Sequence, residues 1–165
     1  MKQLFNTAAG SLLLVMLAAC NGTSDEPPAT PAAEAPETAA ESKPAGMPRS
    51  TAAESARVYF ITPQDGDVVS SPVRVEFGIE EMEVVPAGTQ ARNSGHHHVL
   101  VDTGLPPMDA PIPADSQHVH FGDGSTETEL DLGPGEHTLQ LLFADHLHIP
   151  HKPPVYSERI TITVE

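Results

Sequence analysis

Hydrophobic and polar residues alternate over short stretches from Val58 to the end of the chain. Val73, Val75, Phe77 and Ile79 alternate with polar or small residues, as in a strand with one buried face. Similar runs, separated by turns rich in glycine, proline and aspartate, predict strands over 58–61, 73–79, 97–102, 117–121, 126–132, 137–143 and 159–164. No stretch shows a sustained helical period. The pattern predicts an all-β fold, an immunoglobulin-like antiparallel β-sandwich of about seven strands, over residues 56–165.

The first residues differ in character and indicate export. Lys2 precedes a short apolar run, Leu12–Leu17, and residues 1–19 therefore read as a signal peptide too short to span a bilayer as a stable helix. The run ends in Leu17-Ala18-Ala19-Cys20, which is similar to a bacterial lipobox and predicts lipidation of Cys20. The alternative is a simple signal peptide cleaved after Ala19.

Residues 20–55 predict a tether between this anchor and the folded domain. The segment is rich in proline and alanine and has almost no large apolar side chain, so it buries too little surface to offset its ordering entropy. Asn21 follows the cysteine in place of the aspartate associated with inner-membrane retention. We therefore expect the protein to be anchored to the cell envelope, at the outer membrane and facing the periplasm.

The charge balance narrows the possible partners. The formal net charge is −15, which opposes binding to nucleic acid or to an anionic lipid surface. The same negative field raises the local concentration of cations. Acidity is also an ordinary means of staying soluble, so it does not by itself indicate a cation site.

Histidine carries the strongest chemical signal in the chain. All nine histidines lie between His96 and His151, and eight fall in three clusters: His96–His98, His118 with His120, and His146, His148 and His151. In an immunoglobulin-like sandwich these three positions project toward the same end of the domain. The ninth, His137, is expected at the opposite end, where it would have a structural role.

Residues i and i+2 of a strand share a face, so the histidines of the first two clusters form pairs that can present nitrogens to one ion. The metal ligands predicted from this spacing are His96, His98, His118 and His120, followed by His146 and His148. Lipidation of Cys20 leaves no thiolate, and imidazole-dominated sites suit copper or zinc. The resulting hypothesis is an envelope lipoprotein that binds copper or zinc for sequestration, delivery or tolerance.

Other interpretations remain open at this point. The histidines can pin proline-rich loops, or they can act as a pH sensor in an envelope interaction module with an unidentified protein partner. We expect no enzyme, because no serine lies in a recognisable nucleophile context. His118-Val119-His120 resembles the copper-ligand pair of copper/zinc superoxide dismutases, but their disulfide cysteines and zinc-loop pattern are absent.

Several longer motifs resemble an uncharacterised family of bacterial exported domains. They are Gly95-His96-His97-His98, His120-Phe121-Gly122 and the run from Pro134 to Leu141, with His148-x-Pro150-His151 and Pro153-Pro154-Val155 after them. The resemblance covers the chain from about Val58 to its end. The family is one of unknown function, so the resemblance supports the domain boundary and implies no reaction.

Overall fold

Two β-sheets make up the folded part in the computed structural model, which describes residues 46–165. The ten strands, in chain order, are β1 (Arg57–Thr62), β2 (Val68–Val69), β3 (Val73–Glu80), β4 (Glu83–Val84), β5 (Ser94–Val101), β6 (His118–His120), β7 (Glu127–Leu130), β8 (Gly135–Ala144), β9 (Pro150–Tyr156) and β10 (Ile160–Val164). Residues 46–165 contain no helix that is long and apolar enough to cross a bilayer. The predicted all-β sandwich is confirmed.

The strand count exceeds the expected seven for identifiable reasons. β2 and β4 contain two residues each, which is too few to give an alternating pattern. β9 contains three prolines, and proline normally argues against a strand because it lacks an N–H. Here the strand pairs with β8 at its two ends, through Leu142–Tyr156 and Phe143–Val155 at one and Ala144–Pro150 at the other, with a register shift between them.

The smaller sheet has the order β1-β3-β7, and the larger has β2-β10-β8-β5-β4 with β6 paired to β5 and β9 paired to β8. Most pairs are antiparallel, whereas β2–β10 and β4–β5 are parallel. The long strands β5 and β8 occupy the centre of the larger sheet and pair in register from His96–Ala144 to Val101–Leu139. Pairing within the larger sheet therefore fixes the position of β5, the strand that carries His96–His98.

All eight residues of β5 are buried, so both faces of this strand are covered. One face contributes Val99 and Val101 to the main core between the sheets, where Phe77 of β3 and Leu141 of β8 also lie. The other face contributes Leu100 to a smaller cluster with Ile112, which belongs to the loop between β5 and β6. The loop thus forms a second apolar layer over the outer face of the larger sheet.

The folded unit begins earlier than the predicted boundary at residue 56. Residues 46–55 were assigned to the tether, yet Ala52 is buried and its N–H donates to the Lys152 carbonyl at 3.2 Å. The Arg49 guanidinium donates to the carbonyls of Pro150, at 2.8 Å, and His151. Backbone and guanidinium donors supply the stabilisation that apolar side chains do not, which is why composition alone missed this segment. The predicted signal peptide, Cys20 and most of the tether lie outside the described residues.

Candidate metal centre

Four imidazole rings converge on the outer face of the larger sheet. They belong to His96, His98, His120 and His148, and their ring centroids lie between 4.7 and 5.9 Å apart. His96 and His98 are fully buried, His148 is half-buried and His120 is exposed. The cluster, as we call these four residues, therefore has a buried floor and an accessible rim.

Strand register brings the first three rings together. His96 and His98 share one face of β5 because they are two residues apart. β6 runs antiparallel to β5 with His120 directly opposite His98, so the third ring stands beside the second. Side chains directly opposite each other on paired strands are near neighbours, and here the rings of His98 and His120 stack with their centroids 5.0 Å apart.

The fourth ring comes from a turn that Asp145 organises. One carboxylate oxygen of Asp145 accepts from the N–H groups of Leu147, at 2.9 Å, and Ile149, at 3.1 Å, while the other accepts from the Ser50 hydroxyl at 2.6 Å. Burial raises the pKa of Asp145, but these hydrogen bonds outweigh it and the net pKa is lowered. His148 adopts a left-handed backbone conformation with φ of 63°, which is costly for a residue with a side chain and is often found at functional sites.

Two glycines next to the histidines are explained by close approach. A Cβ on Gly122 would lie 2.4 Å from Cε1 of His120, so only glycine lets that ring fold back toward the cluster. A Cβ on Gly95 would lie 2.2 Å from the Ala144 carbonyl oxygen, so glycine is also required where β5 meets β8. The glycines of the Gly-His-His-His and His-Phe-Gly motifs therefore permit close approaches beside the histidine cluster.

The spacing of the ring nitrogens is compatible with a shared metal ion. Nε2 of His120 and Nε2 of His148 lie 3.2 Å apart. Two nitrogens bound to one ion at about 2.0–2.1 Å would be separated by about 3.3 Å in a tetrahedral site and about 2.9 Å at adjacent square-planar positions. Ligand atoms of His96, His98 and His120 all lie within 4.8 Å of one another, so these three residues can hold a metal ion.

Buried nitrogens of the cluster lack hydrogen-bond partners among residues 46–165. Both nitrogens of His96 and Nδ1 of His98 are in this position. Burial, together with repulsion from neighbouring rings, lowers the pKa of His96 to about 4 and that of His98 to about 2. Burial also lowers the pKa of His120. The buried imidazoles are therefore neutral at neutral pH and present lone pairs, the protonation state that metal binding needs.

Two of the residues predicted from sequence lie outside the cluster. His118 stands opposite Leu100, one two-residue repeat along the strand from His120, and its Nδ1 lies 2.7 Å from a carboxylate oxygen of Asp115. His146 lies on the same turn as His148, where its carbonyl accepts from the Gly88 N–H at 3.3 Å. Each of the three sequence clusters thus contributes to the site, but the second and third contribute one ring each.

Two further histidines, His137 and His151, contact backbone carbonyls outside the cluster. His137 lies near the start of β8, away from the cluster, and its nitrogens face the Asp102 carboxylate at 2.7 Å and the Gly133 carbonyl at 2.9 Å, which confirms its expected structural role. His151 faces the carbonyls of Ser94, at 3.1 Å, and Phe143, at 3.4 Å. These two residues join strands and loops, as the loop-pinning interpretation proposed for histidines in general.

His97 lies on the core side of the larger sheet, away from the other two histidines of β5. Its ring points into the core between the sheets, with centroids 4.7 Å from Phe77 and 5.0 Å from Phe143, and neither nitrogen has a partner. It lies on the opposite face of β5 from the cluster, as the alternation of the strand requires. The sequence signal was its alternation with Val99 and Val101, which lie on the same face of the strand.

Fold and site together define a β-sandwich domain with a histidine cluster able to hold a metal ion. The chain belongs to the family described as domain of unknown function DUF4399, whose model matches residues 75–165. That range includes all nine histidines, and it confirms the resemblance to an uncharacterised family. No curated protein and no solved structure matches the chain.

Proposed function

We propose that this domain binds one copper or zinc ion through His96, His98, His120 and His148. The observation that carries the proposal is that ligand atoms of three imidazoles lie within 4.8 Å of one another on the outer sheet face, two of them buried with unpartnered nitrogens. A buried polar group without a partner costs about 1–3 kcal/mol, and three such nitrogens occur in this cluster. Coordination to an ion would supply the missing interaction for one nitrogen of each ring, because the two nitrogens of an imidazole point in different directions.

The ligand set indicates which ions fit. Four neutral imidazoles suit copper(II) or zinc, whereas magnesium and calcium prefer oxygen ligands. Because imidazole ligands are neutral, the positive charge of the ion has to be balanced by other groups near the cluster. The Asp145 carboxylate favours positive charge at His96, and the Asp123 carboxylate does so at His120.

The alternatives account for the cluster less well. Loop pinning requires ring nitrogens bonded to backbone groups, as in His137 and His151, and both nitrogens of His96 lack such bonds. A pH sensor working between about pH 7 and 5 needs imidazoles that titrate in that range. The lowered pKa values of His96 and His98 place their titration below it. These points favour a metal-binding function.

The cellular setting in this proposal follows from the predicted lipobox. Lipidation at Cys20 would attach the chain to the cell envelope, at the outer membrane and facing the periplasm, with the acidic domain held away from the lipid surface. Binding there would serve metal sequestration, delivery or tolerance, with no catalytic step and no nucleic-acid partner. An envelope protein that exchanges the metal with this domain is part of the same proposal.

The test is metal content and affinity of the full chain, purified in detergent without chelator. We expect one equivalent of copper or zinc, measured by mass spectrometry of the metal and by titration against a competing chelator. His98→Ala and His120→Ala should each weaken metal binding by about 100-fold or more. Loss of a group that only hydrogen-bonds to a metal ligand costs about 10–100-fold in affinity, and loss of the ligand itself should cost at least as much.

Matched controls are available among the histidines themselves. His118→Ala and His146→Ala remove imidazoles that lie two residues from His120 and His148 but outside the cluster, and they should leave stoichiometry and affinity unchanged. Circular dichroism would check that each variant keeps its fold. Metal uptake only at millimolar concentration, or equal loss in the cluster variants and the controls, would refute the proposal.

A further inference from the structure

A small pocket adjoins the rim of the histidine cluster. Its volume is about 190 Å³, and its lining combines His98, His120 and His148 with the segment Pro111–Ala114 of the loop between β5 and β6. Because three of the four cluster residues line it, a molecule in this pocket would lie beside a metal ion held by the cluster. The loop segment, which we call the proline wall, forms the rest of the lining.

The proline wall offers almost no hydrogen bonds to an occupant. Pro111 and Pro113 have no backbone N–H. The N–H of Ile112 is already donated to the His148 carbonyl at 2.9 Å. None of the residues that line the pocket within the described part of the chain has a charged side chain. An anion entering it would exchange its hydration for apolar walls with no donor in return from these three residues, which is unfavourable.

The size of the pocket sets a further limit. Pockets for drug-sized ligands usually measure about 300–1,000 Å³, so this pocket suits a smaller molecule. The apolar surfaces of the wall favour a ligand that buries a hydrocarbon body while directing a single donor atom toward the metal. Few polar groups would be needed to orient such a ligand, because the metal bond itself does so.

We propose that the metal held by the histidine cluster takes an additional ligand in this pocket, and that this ligand is a small uncharged nitrogen- or sulfur-donor molecule with an apolar body. The inference rests on the proposed metal-binding function. It extends that function by naming the chemical class of a second binding partner. It also assigns a role to the proline wall, which the metal site itself does not require.

The experiment uses the full chain loaded with one equivalent of copper(II), titrated with 4-methylimidazole and followed by electron paramagnetic resonance. A saturable single-site spectral change is expected while copper stays bound, as checked by gel filtration. Ala114→Leu places a larger side chain at the wall and should weaken 4-methylimidazole binding by at least about 10-fold. Copper affinity should remain that of the wild type. Ala91→Leu, at an exposed alanine outside the pocket, is the matched control and should change neither quantity.

An anion arm tests selectivity. Azide should leave the spectrum unchanged at concentrations that saturate the 4-methylimidazole change, and Ala114→Lys, which adds a cation to the wall, should allow azide to bind. Azide binding as tightly as 4-methylimidazole in the wild type would overturn the inference. So would an Ala114→Leu variant that binds 4-methylimidazole normally. Copper held with normal affinity but unaffected by 4-methylimidazole would overturn the pocket inference alone, whereas failure to hold either copper or zinc would overturn the proposed function as well.

Discussion

Replacing His97 with leucine should stabilise the domain, and the gain should grow as the pH falls. The ring of His97 is fully buried between Phe77 and Phe143, and neither of its nitrogens has a hydrogen-bond partner. Removing such a buried polar group recovers about 1–3 kcal/mol. The lost aromatic contacts offset about 0.5–1.5 kcal/mol of this gain. We therefore expect His97→Leu to be about 1 kcal/mol more stable at pH 7.5.

The pH dependence follows from protonation of the unfolded chain. Burial, with a smaller contribution from His96, lowers the pKa of His97 from 6.5 to about 4 in the folded protein. Above pH 6.5 neither state binds the proton; between pH 6.5 and 4 only the unfolded state does, so wild-type stability falls. A shift of this size corresponds to about 3 kcal/mol at pH 4, and His97→Leu removes the whole of this contribution.

Urea unfolding of chelator-treated wild type and His97→Leu at pH 7.5, 6, 5 and 4 measures both parts. The comparison subtracts the contributions of His96 and His98, which remain in both proteins. The variant should also keep its metal stoichiometry, because position 97 lies on the opposite face of β5 from the cluster. A less stable variant at pH 7.5, or a stability difference that stays constant down to pH 4, would show that the His97 ring is satisfied and would refute the reasoning.

Three further predictions concern the support of the site and of the fold. Gly122→Ala should weaken metal binding by at least about 10-fold without unfolding the domain, because the new Cβ displaces the His120 ring. A chelator-competition assay measures this affinity. Gly133→Ala, whose Cβ would meet nothing within 4 Å, is the control. Ser50→Ala removes the hydroxyl that donates to the Asp145 carboxylate, which organises the turn carrying His148. Metal affinity should therefore fall by about 10-fold. An unchanged affinity would mean that the turn keeps its conformation without this hydrogen bond. His137→Gln should cost less than about 1 kcal/mol, because this residue is only partly buried. The hydrogen bond to the Asp102 carboxylate raises the pKa of His137. The stabilisation of the folded state by this residue is therefore complete below pH 6.5 and disappears as the pH rises through the raised pKa. A loss of stability in His137→Gln that does not change with pH would contradict this.

The choice among the histidines shows how far spacing alone can lead. Pairing at i and i+2 predicted His96 with His98 and His118 with His120, and the first pair is brought together. The second pair is divided, because the β5–β6 register sets His120 against His98 and His118 against Leu100. An aspartate three residues before His118 was a visible sign that this ring has another partner, since Asp115 bonds its Nδ1.

The fourth ring illustrates what spacing does not contain. His146 and His148 are equally close to the other clusters in sequence, and nothing in their neighbours distinguishes them. The distinction arises from the turn that Asp145 organises and from the left-handed backbone of His148. Ser50, in the segment that composition assigned to the tether, completes that turn from 95 residues away.

By itself the sequence determined the all-β class, the alternation that separates His97 from its neighbours, and a donor set of imidazoles with no thiolate in the folded part. These properties are local, since they depend on residue type and on the two-residue period of a strand. Tertiary structure decided which rings meet, where the folded unit begins and that β5 is covered on both faces. Those outcomes depend on strand register, on the path of the loop over the sheet and on hydrogen bonds between distant segments. The energies of such contacts are set by groups far apart in the chain, so no local pattern encodes them.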